Sequence, residues 1–163
     1  MEPIPQELVE ETWQEVARFT PGQTNKEMTK MAKSQPDLFT FMMQFTEDLD
    51  QEVKELAIYM FFVAYRMFEK SSRKTIKKIS AREIIDCYEY NEGLMRSLEG
   101  VDEKFFHRIA KTEISRQPYV MKYVTETLME APEEEDPVAL TAEDIGVMFL
   151  LLKTVVDLLD MTS

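Results

Sequence analysis

Four glycines and one cysteine in 163 residues narrow the architecture before any motif is considered. Turn residues this scarce, beside abundant Met, Leu, Glu and Lys, argue for helices joined by short connections. No stretch alternates apolar and polar residues between Gly or Asn-Gly turns, so strands are not expected. Cys87 has no partner for an internal disulfide, and the single histidine, His107, leaves no Cys/His group at metal spacing. No cofactor is implied. Long apolar runs are missing too: residues 56–65 are uninterrupted, but Arg66 breaks the run and it ends by Phe68. That is short of the roughly 18 to 20 residues a membrane span needs, so no membrane insertion is expected. Positive charge is also in deficit, with 19 Lys and Arg against 31 Asp and Glu, a net −12 that disfavours nucleic acid and anionic lipid as partners of the whole molecule. The opening MEPIPQELVEETW is acidic and has no apolar core of the signal-peptide kind; with the lone cysteine this gives a cytoplasmic expectation.

What is present is helical periodicity over one domain's length. Leu8, Val9, Thr12, Trp13, Val16 and Phe19 recur at three- and four-residue spacing, giving a first helix that stops at Pro21-Gly22. A weaker second helix is read over 24–33, with Met28, Met31 and Ala32 as its apolar edge. Pro36 opens a third, and Asp50 is placed as N-cap of a fourth that carries the apolar run. Ser80 and Glu83 have capping-box spacing and begin a fifth, which ends at Gly100. A sixth is expected over 102–115, a seventh from Pro118, and an eighth capped by Thr141 with Asp144, beyond an acidic loop at 131–139.

Two pairs of segments resemble each other. QPDLFTFM at 35–42 aligns with QPYVMKYV at 117–124, an offset of 82, and ELAIYMFFVAYRMFE at 55–69 aligns with EDIGVMFLLLKTVVD at 143–157, an offset of 88. The offset changes inside the acidic loop, where insertions are tolerated. The expectation is an all-α, single-domain bundle of about eight helices, an internal duplication with halves 1–79 and 80–163 related by a pseudo-twofold axis. Helices four and eight, apolar nearly all round, would be its paired centre. Gly146 is expected to let their backbones approach.

The basic residues cluster: Arg66, Lys70, Arg73, Lys74, Lys77, Lys78 and Arg82 lie against one acid, Glu69, within residues 66–82. If helix four continues past Ser72, Arg66, Lys70, Arg73 and Lys77 share one face and form a cationic stripe suited to phosphates or an acidic segment. The other reading is a solvated helix end, its cations favourably placed at the C-terminus. Arg66 is either the first exposed residue of the stripe or a partly buried cation paired with a carboxylate from another helix; exposure is the expectation, its long stem lying along the apolar surface. Glu103 and His107 have i,i+4 spacing and suit a surface contact; Cys87 suits a small buried side chain. With no phosphate loop, catalytic triad order or Glu-x-x-His pair, an enzyme is disfavoured, although helical bundles do host carboxylate sites. The function expected is a non-catalytic interaction protein, adaptor or regulatory, binding a protein partner through a groove between its halves or by self-association. The alternative is nucleic-acid or anion binding through residues 66–82.

Overall fold

A computed structural model of the chain describes residues 2–72, 74–97, 115–131 and 137–162. The described residues form seven α-helices and no strand: α1 (Gln6–Ala17), α2 (Pro21–Ser34), α3 (Pro36–Phe45), α4 (Gln51–Ser71), α5 (Ala81–Ser97), α6 (Pro118–Glu130) and α7 (Ala142–Thr162). The helix expected over 102–115 lies outside the described residues, apart from its last position, and the acidic loop is described only at its ends.

Local chemistry sets most of the boundaries. Pro21 does not leave a gap after the first helix; it is the first residue of α2. The Thr20 hydroxyl accepts from the Gln23 N–H (3.1 Å) and the Gln23 side chain accepts from the Thr20 N–H (2.9 Å), a capping box that starts the helix three residues earlier than expected. Thr141 and Asp144 make the same reciprocal pair at the head of α7, both at 3.0 Å. Ser80 accepts from the Glu83 N–H at 3.2 Å. Asp50 stands at the N-cap of α4 as expected, but its side chain makes no capping bond. α4 ends at Ser71, Ser72 is extended, and residues 74–80 are not helical. Among the described residues, Lys74, Lys77 and Lys78 are therefore not on a continuation of α4, and Lys77 shares no helical stripe with Arg66 and Lys70.

α4 and α7 pack against each other at the centre. Every side chain from Met60 to Tyr65 on α4, and from Leu151 to Val156 on α7, is buried. Helices this apolar must be covered on all sides, and the others cover them: α1 packs on α4 and α6, α5 on α7 and α3, α6 on α7, and α2 on α3.

Two buried glutamines tie distant backbone to this bundle. Gln35 and Gln117 each stand just before a helix-opening proline, with nearly the same backbone angles (φ −132°, ψ 65° and φ −121°, ψ 71°). The Gln35 Oε1 accepts from the Ile79 N–H (2.9 Å) while its Nε2 donates to the Lys77 carbonyl (2.9 Å). The Gln117 Oε1 accepts from the Ile4 N–H (2.8 Å) while its Nε2 donates to the Glu2 carbonyl (3.3 Å) and to Asp160 Oδ1 (2.8 Å). Each amide thus satisfies the backbone of an extended segment that leads into a helix, α5 in one case and α1 in the other. Ile79 and Ile4, the residues so held, are both buried.

Gly146 does not serve a close approach between α4 and α7. A methyl group built on it meets nothing within 4 Å, so a side chain would enter open space. What remains is the entropic cost of glycine in a helix. Gly146→Ala is expected to stabilise the protein by roughly 0.5–1 kcal/mol, read as a rise in the urea midpoint with unchanged slope.

Candidate functional site

The basic cluster divides in two. Arg66 and Lys70, on the last turns of α4, are engaged by α1 and α2: Glu15 of α1 takes Arg66 at 2.9 Å and Lys70 at 2.6 Å, with Glu27 of α2 3.7 Å from Arg66 and Glu11 of α1 3.6 Å from Lys70. The Arg66 guanidinium also lies over the Phe19 ring, 5.7 Å from its centroid. Its side chain is only 25% exposed, which corrects the expectation of an exposed arginine: the acidic outer face of α1 folds onto it. Hydrogen bonds from Lys70 first, then Arg66, hold the Glu15 carboxyl below its ordinary range. Lys74, Lys77, Lys78 and Arg82 are exposed and pair with no carboxylate among the described residues. Arg73, Glu103 and His107 lie outside the described residues.

A second group of polar residues sits inside the bundle. Lys153, on buried α7, is 2% exposed; its ammonium donates to Asp157 Oδ2 (2.6 Å) and to Asn91 Oδ1 (2.9 Å) on α5. Asn91 in turn donates to Asp157 Oδ2 (3.1 Å) and the Thr154 hydroxyl (3.2 Å). Cys87 lies one turn before Asn91, and its thiol faces the Thr154 carbonyl at 3.9 Å. Burial, then the Asp157 charge, push this thiol up to about 11, so it is an unreactive packing group at neutral pH. Lys153, Asp157 and Cys87 line an open hollow of about 860 Å³ together with Lys77, Asp86, Arg116 and Asp160. Charges of both signs are mixed there, and the lysine is already committed to its carboxylate. The i,i+4 pairing of Lys153 with Asp157 inside an apolar helix was the sequence signal for this cluster.

The third feature is a groove between α1 and α6. It holds about 390 Å³ and is lined by Trp13 from α1, Tyr119, Tyr123 and Thr127 from α6, and Tyr59 from α4. Trp13 and Tyr119 are each 39% exposed, high for rings of this size on helices that pack together. Burial raises the Tyr123 phenol well above its ordinary value, with a hydrogen bond to Thr127 pulling the other way. Glu10, Glu126 and Glu130 stand at the rim with one cation, Lys122. Periodicity places Trp13 on the inward face of α1. Its exposure comes from the crossing of α1 over α6, which periodicity within one helix does not encode.

The contact between α3 and α5 is built differently. There the Phe45 ring packs against Phe41 (4.7 Å between centroids) and Tyr88 (4.8 Å), and Phe41 meets Tyr88 edge-on at 5.7 Å. Three rings meet there, with Phe45 at the surface and 38% exposed.

Among the described residues, no helix is long and apolar enough to cross a membrane, and no group of three or more His, Cys, Asp or Glu is placed to hold a metal ion. Comparison with protein-family models, curated proteins and solved structures finds no match to this chain.

The ion-pair network carries a pH signature. Because the folded state depresses the Glu15 carboxyl below its ordinary 4.5, its contribution is present above that value and is lost as pH falls through the lower folded one. Glu15→Gln is expected to cost about 1 kcal/mol at neutral pH, since the pairs are partly exposed. The variant and parent should converge in denaturant unfolding as pH drops below about 4.5; a difference that stays constant with pH would remove Glu15 from the network.

Proposed function

We propose that this chain is a non-catalytic interaction protein that receives a segment of a partner protein in the groove between α1 and α6. The observation that carries this is a hollow walled by tryptophan and tyrosine, two of whose rings are left partly in water. Rings of this kind bury large area at low entropic cost and dominate binding energies where they occur at interfaces. The rim charge, three glutamates against Lys122, favours a segment with basic residues.

The same proposal includes the internal duplication, with α1–α4 as one unit and α5–α7 within the other. Three observations support it. The two glutamine clasps are alike: Gln35 holds residues 77 and 79, just before α5, and Gln117 holds residues 2 and 4, just before α1. Buried positions repeat, with Val9, Thr12 and Val16 on α1 matching Ile84, the half-buried Cys87 and Asn91 on α5 at an offset of 75. Leu38, Met42 and Thr46 match Val120, Val124 and Leu128 at the offset of 82 already set by the Gln-Pro pairs. On this reading α1 and α6 belong to different halves, and the groove is a seam between them.

Anion or nucleic-acid binding by Lys74, Lys77, Lys78 and Arg82 is the second reading, favoured by their exposure and lack of carboxylate partners among the described residues. It requires binding of a single-stranded oligonucleotide that falls steeply between about 50 and 200 mM salt. Affinity insensitive to reversing Lys74, Lys77 and Lys78 to Glu would end it.

For the groove the reporter is built in, because Trp13 is the chain's single tryptophan. Peptides selected from a random display library against the whole protein are expected to shift Trp13 emission, and to lose at least about tenfold in affinity on Tyr119→Ala. Selected peptides that bind without touching Trp13 emission, or equally well to Tyr119→Ala, would place the interaction elsewhere. Emission that changes with protein concentration alone would assign the groove to a second copy of the chain.

A further inference from the structure

The clasps give a register that does not depend on sequence similarity. Counted from the residues the two glutamines hold, Ile4 and Ile79, the ninth residue onward is Trp13 in one case and Tyr88 in the other. Counted from Gln35 and Gln117 themselves, Phe41 corresponds to Tyr123, and Phe45 to Thr127. The two helix contacts can therefore be compared position by position. At α3 and α5, the Phe45 ring, itself 38% exposed, lies at the surface against both Phe41 and Tyr88. At α6 and α1 the two neighbouring rings are present as Tyr123 and Trp13, and both line the hollow; the third ring is replaced by Thr127, which lines it as well.

We infer that the groove between α1 and α6 is a receptor for one aromatic side chain, supplied by a partner segment with basic residues beside it and seated where Phe45 sits in the other contact. This deepens the groove reading above and rests on it. The occupant's chemistry is given by the three-ring contact: a ring packed on one wall by an aromatic side chain one turn back on its own helix, and on the other by an aromatic from the crossing helix. Tilted packing of this kind adds attraction beyond burial alone. The substitution of Thr127 for a ring leaves a hollow of about 390 Å³, within the range of pockets that take specific ligands. Basic flanks follow from Glu10, Glu126 and Glu130, and a tyrosine-walled site also accommodates a cation against its rings.

The test uses the full chain and two blocked tripeptides, Arg-Phe-Lys and Arg-Leu-Lys, titrated while Trp13 emission is followed. The phenylalanine peptide is expected to shift the emission and to bind about fivefold tighter than the leucine one, the worth of a ring–ring contact. Thr127→Phe supplies the missing ring from within: it is expected to abolish the response to the phenylalanine peptide and to raise the thermal midpoint by roughly 5 °C. Should that variant be less stable than the parent, Thr127→Met fills the space with a flexible side chain and must also abolish the response. Equal binding of both peptides, each lost on Tyr119→Ala, would overturn the aromatic-receptor inference and leave the groove reading standing. No response to either peptide, while display-selected peptides still shift Trp13, would overturn it likewise. If selected peptides also leave Trp13 silent, both readings fall together. A response to the phenylalanine peptide that survives both Thr127 variants would show that the ring is seated elsewhere.

Discussion

Two helices that are apolar around nearly their whole circumference cannot face water on any side, and this constraint organises the molecule. α4 and α7 meet it first by packing on each other, then by recruiting amphipathic helices as cover. The cover in turn decides which polar groups are trapped. Lys153 is drawn inside because its helix is, and Asn91 and Asp157 close around its ammonium. Arg66, nearer the end of its helix, emerges under α1 and is met by Glu15. The groove is a by-product of the same covering: α1 and α6 approach each other over α4, with Tyr59 of α4 half-buried between them.

The distribution of charge follows from the cover as well. An excess of acid over base would repel itself across a small surface. Part of that excess is spent against the basic end of α4, so the outer face of α1 is less of a liability than its run of glutamates suggests. Two patches of opposite sign stand out among the described residues, the acidic rim of the groove and the exposed cations Lys74, Lys77, Lys78 and Arg82. Any partner that engages both must itself carry charges of both signs at matching separation.

Much of the helical architecture was legible from local chemistry. Proline at the first helical position, threonine three residues before a carboxamide or carboxylate, and apolar spacing all act within a few residues, so they mark α3, α5, α6 and α7 where they stand. Pro21 was the informative failure. Read as the end of one helix it is equally the beginning of the next, and Gln23 as the far half of a capping box decides between the two. Arg66 was misplaced because its exposure depends on α1, 51 residues away in sequence. Gly146 was given a packing role that nothing around it requires. For the site, the basic cluster could be seen at once because it is contiguous. The groove could not, because its walls come from three helices, and Trp13, Tyr59 and Tyr119 share a surface only once those helices cross.

Gln35 and Gln117 were visible as matching dipeptides, yet their hydrogen bonds reach across 44 and 113 residues. The second of these has a bearing on how the protein is made. Ile4 is synthesised before Gln117 and cannot find its partner until residue 117 has followed. The segment before α1 therefore waits, with α1 short of its contact with α6, until the intervening residues have been synthesised. Contacts of such separation carry a larger closure entropy than the local bonds of a helix, so this clasp is expected to form after the helices it joins.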